Sequence, residues 1–324
     1  MSKIKTGKTL TSKELAEKHI KFQVERHKNP EKWRGLPFGL PKIDKITGGA
    51  RRAELIAIAG SHKAGKTTFA MAIAKTMGYQ LLDEEEHGLV VSLEMSFSVM
   101  GNRFIANAGH VEVNKLRDYT MEENDWDDYY HGAEMLKDLP VLWNVGCYSF
   151  EGLEALLDQY AYFEAENGKN TALRFVVVDY FQLMNTNASG KKRWEELQVI
   201  SRNLKRLANK YDITIFLLSQ QTRDALENEK KQRSSNTLAG TQGLVQDLDM
   251  LMMILPVMQD DKEVAHLREI WIAESRNSDS KSGETVLFSG KYSKMGPLYE
   301  GELEDLPPQE DEEERVEEWR RWLD

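Results

Sequence analysis

Residues 53–77, AELIAIAGSHKAGKTTFAMAIAKTM, decide the fold. The apolar run at 53–59 has the length and composition of a strand buried on both faces. It passes directly into Gly60, Ser61, His62, Lys63, Ala64, Gly65, Lys66 and Thr67, which match G-x-x-x-x-G-K-[ST]. An alanine-rich helical pattern follows through Thr68. A strand before this loop and a helix after it are the context in which it cradles phosphates. Gly60 and Gly65 permit backbone conformations that a Cβ would obstruct. The amides from Gly60 to Thr68 and the helix N-terminus then turn partial positive charge toward a nucleotide. Lys66 is expected to reach the β- and γ-phosphates, and the Thr67 hydroxyl to ligate Mg²⁺. His62, a lone histidine in a glycine loop, reads as a spacer and not a zinc ligand.

The chain has 324 residues, 40% of them hydrophobic, enough for one large domain or two small ones with a sizeable core. No uninterrupted apolar run is long enough to span a bilayer, so no membrane partner is expected. The N-terminal MSKIKTGKTLTSKEL lacks the apolar stretch of a secretory signal. The single cysteine, Cys147, cannot form an internal disulfide and has no ligand cluster beside it, which fits a reducing cytoplasm, bacterial or virus-infected. A net charge of −10 argues at first against nucleic acid, but its distribution matters more. Residues 301–324 hold eleven acids and three bases, whereas residues 1–35 hold ten Lys/Arg and four acids. A basic arm (1–34) and an acidic tail (301–324) therefore flank a body at 35–300. Local patches, not the total, decide nucleic-acid binding.

In the arm, Ser12 reads as an N-cap, and Leu15, Ala16, Ile20, Phe22 and Val24 form a loose apolar face that Asn29-Pro30 ends. A solvated basic helix and a helix docked on a neighbouring subunit both fit this pattern. Residues 35–50 are rich in turn formers. Apolar strands are expected at 88–93, 174–178, 213–218 and 250–255, with a shorter one at 139–142. Helices are expected at 96–110, 121–137, 150–166 and 194–211, the last with Leu197, Ile200, Leu204 and Leu207 at helical spacing. Residues 222–243 read as a mobile loop, and 268–273 with 284–288 as a hairpin around SRNSDSKSG. Buried strands alternating with helices imply an α/β domain with a mostly parallel sheet flanked by helices, closed by a C-terminal β-hairpin.

In such sheets ligands gather at the carboxyl ends of the strands. Those ends carry Gly60, Glu94, Asp179 and Gln220. Asp179, after three valines, reads as a second Mg²⁺-linked carboxylate. Glu94 is placed to polarise water for attack on the γ-phosphate. Gln220 suits a γ-phosphate sensor. Arg276, in the hairpin turn, suits an arginine that stabilises transition-state charge across a subunit boundary. Two polar loops suit the backbone of single-stranded DNA: one with Lys191, Lys192 and Arg193, the other with Arg233, Thr241 and Gln242. Each of these residues also has a plainer reading as a strand-end cap, a salt bridge or a solvated surface group.

Several stretches resemble the RecA-like motor domain of DnaB-family replicative helicases. They are GLPFGLPKIDKITGG, GSHKAGKTTFAMAIA, VSLEMS with Arg103 downstream, VVVDYFQLM, ISRNLKRLA, LLSQQTR, VQDLDMLMMI and the turn SRN, in the family's order over roughly 35–290. The resemblance implies a P-loop core with strand order 5-1-4-3-2 and a hexameric ring. It implies ATP hydrolysis with Mg²⁺ at subunit interfaces, coupled to movement along single-stranded DNA. It assigns Lys66 and Thr67 to phosphate and Mg²⁺, Asp179 to Mg²⁺, Glu94 to the catalytic base, Gln220 to the sensor and Arg276 to the trans finger. A primase, loader or polymerase is the implied partner. Glu274 stands where the family often has Lys, so the trans charge is expected to be weakened or shared with Lys281. Ala239 and Gly240 stand where its DNA loop often has an Arg-Glu pair. No collar domain fits before residue 35, so the expectation is a compact, virus-encoded helicase whose ring closes through arm and motor. Rival readings are a recombinase-like ATPase forming filaments on DNA and a nucleotide-gated replisome adaptor. The tail helix pattern of Val316, Trp319 and Leu323 suits a partner groove, a DNA mimic or a solvated tail.

Overall fold

A computed structural model of the chain describes residues 9–30, 33–164, 170–186, 192–221, 242–260, 262–278 and 281–297. The chain divides into two compact units, Met1–Gly35 and Leu36–Asp324. In the first, helix α1 (Ser12–Lys28) starts one residue before the expected cap. Thr11 Oγ1 accepts the Glu14 amide, and the Glu14 carboxylate accepts the Thr11 amide at 2.8 Å. Counting from Thr11 puts Glu14 at the third helical position, where a capping box requires it, so Thr11 and not Ser12 is the N-cap. No residue of α1 is buried, and Phe22 meets Trp33 edge-on.

The second unit is organised on one sheet. In chain order its elements are α2 (Pro41–Thr47), β1 (Leu55–Gly60), α3 (Lys66–Gln80), β2 (Glu86–Ser92), α4 (Phe97–Gly109), α5 (Val113–Asp118), α6 (Glu123–Lys137), β3 (Val141–Val145), α7 (Phe150–Tyr160), β4 (Tyr162–Glu164), β5 (Asn170–Asp179), α8 (Arg193–Tyr211), β6 (Thr214–Gln220), α9 (Gln242–Asp247), β7 (Met250–Gln259), β8 (Lys262–Ser275), β9 (Ser282–Ser289) and β10 (Lys294–Pro297). The sheet order is β10-β9-β8-β7-β1-β6-β5-β2-β3, with β4 also paired to β5. The five strands expected to form the core thus stand in the order 5-1-4-3-2. Strands β7, β1, β6, β5, β2 and β3 run parallel, while β7 to β10 form an antiparallel extension larger than the expected hairpin.

Alternation sorts the parallel strands into two cores. Ile56 and Ile58 of β1 join Val177, Phe216, Leu218 and Met252 on the face covered by Phe69, Ile73 and Met77 of α3. Leu55, Ala57 and Ala59 join Val176, Val178, Ile215 and Leu217 on the face covered by α7 and α8. Burial on both faces explains why these strands read as unbroken apolar runs. Helix α3 is apolar nearly all round because it lies between the sheet and further structure. Helix α8 is amphipathic, because one side of it faces water.

Three local expectations change. The helix expected over 150–166 ends at Tyr160, and Tyr162–Glu164 pair antiparallel with Asn170–Ala172. Ladder pairing with β5 outweighs the helix-forming composition there. The turn-rich segment at 35–50 contains α2, begun by Pro41 and ended by Gly48 at φ +73°. Strand β7 continues through Pro256 to Gln259. The greater part of the expected mobile loop, 222–241, and the tail 301–324 lie outside the described residues. No helix among the described residues is long and apolar enough to cross a membrane.

Helices α4 and α6 cross at two glycines. A Cβ on Gly132 would lie 2.5 Å from the Gly109 nitrogen and 2.9 Å from the Ile105 carbonyl oxygen. Gly132→Ala is therefore expected to destabilise the protein by about 2 kcal/mol through overpacking. Gly101→Ala on α4, where a Cβ would meet nothing within 4 Å, is expected to add up to about 1 kcal/mol of stability. Urea unfolding of the two variants measures both effects.

Candidate nucleotide site

The register of the parallel strands sets the site. Gly60, the last residue of β1, lies opposite Gln220, the last of β6. Ser92, the last of β2, lies opposite Asp179, the last of β5, and the Leu93 amide donates to the Asp179 carbonyl at 2.6 Å. Four strand ends therefore finish on one rim of the sheet, and the loop after β1 folds over that rim into α3.

The two loop glycines have different reasons to be glycine. Gly65 caps α3 at φ +97°, and a Cβ there would also collide with Phe288 and Met295. Gly60 is in ordinary strand conformation, so the expected conformational reason does not hold. Its Cβ would instead press to 3.0 Å from Ala64 Cβ and 3.2 Å from the Ile254 carbonyl oxygen. Lys63 takes φ +63°, His62 and Lys63 are exposed, and Ala64 and Thr68 are buried. Ser61 is half-buried.

Lys66 Nζ donates to the Ser61 carbonyl at 2.7 Å and the Gly60 carbonyl at 3.1 Å. Burial lowers its basicity, and the charges of Asp179 and Glu94 act against that shift. Thr67 Oγ1 donates to Asp179 Oδ2 at 2.9 Å. Asp179 is only 6% exposed. Burial pushes its carboxyl up to about 6; the Thr67 hydroxyl and the Lys66 and Arg103 charges oppose this, while Glu94 reinforces it. Glu94 is exposed, two residues beyond β2, and its charge acts on both Lys66 and Asp179. The two carboxylates singled out from separate strands thus converge on the loop lysine.

The donors fit Mg²⁺. Thr67 and Asp179 offer hard oxygen ligands, one of them a buried carboxylate that lacks a full counter-charge. Mg²⁺ is held by one or two such groups together with phosphate oxygens and water. No group of three or more His, Cys, Asp or Glu that could hold a metal by itself occurs among the described residues, which agrees with a site completed by a substrate.

Gln182, which sequence reading did not single out, clamps this rim. Its Nε2 donates to Ser219 Oγ at 2.8 Å, and its Oε1 accepts the Gln220 amide at 3.4 Å. A lone amide inside the apolar run YFQLM was the available signal.

Arg276 lies at the opposite end of the sheet. Met250 of β7 pairs with Ser275 on one side and Ile56 on the other, whereas the loop leaves β1 at Gly60. Four to five residues of strand separate the two levels, about 15 Å. Arg276 is therefore remote from the nucleotide site of its own chain, as the sequence reading expected. Lys281, at φ +65°, and Glu274 are both exposed.

Of the residues assigned to DNA, Lys191, Arg233 and Thr241 lie outside the described residues, and Gln242 opens α9. Lys192 is the exposed N-cap of α8. Arg193 donates to the Gln182 and Met184 carbonyls at 2.6 and 2.7 Å and pairs with Glu196. It ties the turn after Asp179 to α8.

Residues 35–296 match the model of the DnaB-like helicase C terminal domain. The chain belongs to that family. It is 30% identical over 270 residues to the replicative DNA helicase DnaB of Haemophilus influenzae, covering 82% of this chain and 56% of the relative. It is 26% identical over 264 residues to DnaB of Geobacillus stearothermophilus, covering 81% and 56%. The chain thus spans little more than half the length of these relatives. Among solved structures, the ATPase domain of a phage helicase superposes with a TM-score of 0.76 at 22% identity, covering 88% of this chain and 99% of that one. A DnaB-like replicative helicase described with its primase interactions superposes at 0.70 and 24%, covering 82% and 64%. The shared fold is the RecA-like one, a mostly parallel sheet flanked by helices with antiparallel strands at its C-terminal edge.

The raised Asp179 carboxyl gives the DnaB-like domain a testable pH dependence. In the unfolded chain an aspartate ionises near pH 4. Below that pH both states hold the proton and nothing is lost. From there to about 6 the unfolded chain releases its proton first, so rising pH destabilises the ligand-free fold. Asp179→Asn removes the difference. It is expected to match the wild type near pH 4 and exceed it by about 2 kcal/mol near pH 7 without nucleotide or Mg²⁺, read by urea unfolding at both pH values.

Proposed function

We propose that the protein is an ATP-dependent DNA helicase motor that moves along single-stranded DNA as a ring-shaped oligomer, a hexamer by family analogy. The observation that carries this reading is the convergence of Thr67, Asp179 and Glu94 on Lys66 at the loop, with Arg276 presented at the far end of the same sheet. A site that holds a triphosphate but has its arginine about 15 Å away needs a second copy to complete it.

In this reading the loop amides and Lys66 bind the β- and γ-phosphates. Thr67 and Asp179 hold Mg²⁺, which supplies charge neutralisation on the phosphate oxygens. Glu94, exposed on the rim beside Asp179, orients water and takes its proton. Gln220, held at the end of β6 by Gln182, reports the γ-phosphate to the chain that follows it. The guanidinium of Arg276 from the adjoining copy stabilises charge on the transferring phosphoryl group.

Assembly is supported by surfaces of opposite character. Helix α1 is basic and exposes Leu15, Ile20, Phe22 and Val24. Between α4, α6 and β3 lies an apolar groove of about 220 Å³, with Phe97 75% exposed at its rim and the acid-rich α6 along one side. Seating α1 in the groove of a second copy would cover both and join opposite charges. Lys192 and the polar segments after β5 and β6 leave the nucleotide rim and are assigned to the DNA backbone. Primase is the partner class named for one structural neighbour, and a primase, loader or polymerase is proposed here.

The reading is tested by ATP hydrolysis with and without single-stranded DNA, and by strand displacement. DNA is expected to stimulate hydrolysis, and Lys66→Ala to abolish it. Glu94→Gln is expected to keep ATP binding while kcat falls about 10²–10⁴-fold. Assembled protein whose hydrolysis ignores DNA and which displaces no strand would refute the helicase assignment. Particles that average as open helices instead of closed rings would replace it with a filament-forming ATPase.

A further inference from the structure

The turn that carries Arg276 is held by two buried carboxylates. Asp249, 8% exposed, immediately precedes β7, and Glu54, 5% exposed, immediately precedes β1. Asp249 Oδ2 accepts the Leu55 amide at 2.8 Å and the Lys205 ammonium, while Oδ1 faces Arg276 Nη1 at 3.6 Å. The Asp249 carbonyl also accepts the Arg276 amide at 2.9 Å, and Arg276 Nη2 donates to the Gln246 carbonyl. One residue further, Asn277 Nδ2 donates to Glu54 Oε1 at 2.7 Å, and Glu54 Oε2 accepts the Arg51 amide at 2.9 Å. Inside the turn, Ser275 Oγ accepts the Ser278 amide at 3.1 Å.

These contacts exceed what closing a sheet edge requires. The Leu55 and Arg51 amides need acceptors, but water or neutral side chains could supply them. Two carboxylates stand there instead, and each has its second oxygen directed to a residue of the one turn. Lys205 neutralises Asp249, so the charge does not stand alone in the interior. The Arg276 side chain is still 53% exposed despite its ties. An arginine with no such ties would sample many rotamers and lose that freedom on meeting a phosphate.

We propose that Asp249 and Glu54 are positioning residues for Arg276: they fix the turn at 275–278 so that its half-exposed guanidinium is presented to the triphosphate held by a second copy. The proposal rests on the trans role of Arg276 given above and assigns no contact of either carboxylate with nucleotide.

Mixed oligomers test it. Lys66→Ala protomers have a disabled loop and an intact Arg276; Arg276→Ala protomers have the reverse. Mixing the two is expected to restore ATP hydrolysis above either alone, because some interfaces then pair a sound loop with a sound arginine. Absence of that rescue overturns the trans role and this proposal with it. Given the rescue, Asp249→Asn and Asn277→Ala are expected to act as weaker forms of Arg276→Ala. Each should lower kcat about tenfold at unchanged KM for ATP, and each should be rescued on mixing with Lys66→Ala. Asp249→Asn keeps the acceptor for the Leu55 amide. Asn277→Ala cuts the Glu54 tie without touching a buried charge, and it decides the question if Asp249→Asn fails to fold. Rescue of Arg276→Ala alone, with folded Asp249→Asn and Asn277→Ala unrescued or fully active, overturns the proposal. A rise in kcat for Asp249→Asn does so too, since the carboxylate would then be restraining the arginine.

Discussion

Val176, Val177 and Val178 are interchangeable to the apolar cores on either face of the sheet, so their burial alone does not set the register of β5. A slip by one residue would still bury three valines, yet it would turn Asp179 to the wrong face. The register is set by what brackets them. At the near end Arg174, 4% exposed, donates to Thr214 Oγ1 and to the Ala50 carbonyl, both at 3.1 Å. Beside it Phe175 fills the space over Gly88, where a Cβ would lie 2.1 Å from the ring. At the far end Asp179 receives the Thr67 hydroxyl. Two polar anchors and one ring-over-glycine contact fix the strand that the rest of the site is measured from.

With that register held, the electrostatics of the rim follow. Lys66 is pulled between carbonyls of its own loop and two carboxylates, and burial weakens its hold on its proton. Neutral carbonyls are poorer partners for an ammonium than phosphate oxygens are, because charge-assisted hydrogen bonds are about twice as strong as neutral ones. The ligand-free arrangement therefore parks the lysine on groups that a triphosphate outcompetes. Asp179 is in a similar condition. Its burial is unfavourable without a cation, and the Thr67 hydroxyl is a partial substitute for one. The site is built for charges that bind to it, and its own groups balance only partly without them.

Much of this was legible in the sequence, for identifiable reasons. The loop, the strand before it and the helix after it are contiguous, so one window of sequence contains the whole signal. Glu94, Asp179 and Gln220 were found because parallel strands buried on both faces end abruptly in polar residues. Features that depend on distant pairing were not found. Asp249 meets Leu55, and Glu54 meets Asn277, across most of the chain. Tyr162 and its neighbours carry helix-forming composition, but the partner strand at 170–172 decides their state. Helix α2 was hidden by its own brackets, since Pro41 and Gly48 resemble turn residues until they are seen as its start and stop. Asp44 adds to this, accepting the amides of Phe38, Gly39 and Leu40 in a compact turn that sequence alone reads as irregular.

One strand joins the two functional ends of the molecule. β1 starts beside the Asp249–Arg276 cluster and ends at the phosphate loop, and it is flanked over its length by β6 and β7. A central strand of a close-packed sheet does not bend easily, because both faces are filled and both edges are hydrogen-bonded. A displacement of the loop on binding a triphosphate is therefore passed to the arginine turn as a movement of the whole strand. In the proposed ring each copy offers its loop to one neighbour and its arginine to the other. Occupancy of one site then biases the position of the arginine serving the next, with a rigid strand and two carboxylates as the only parts required.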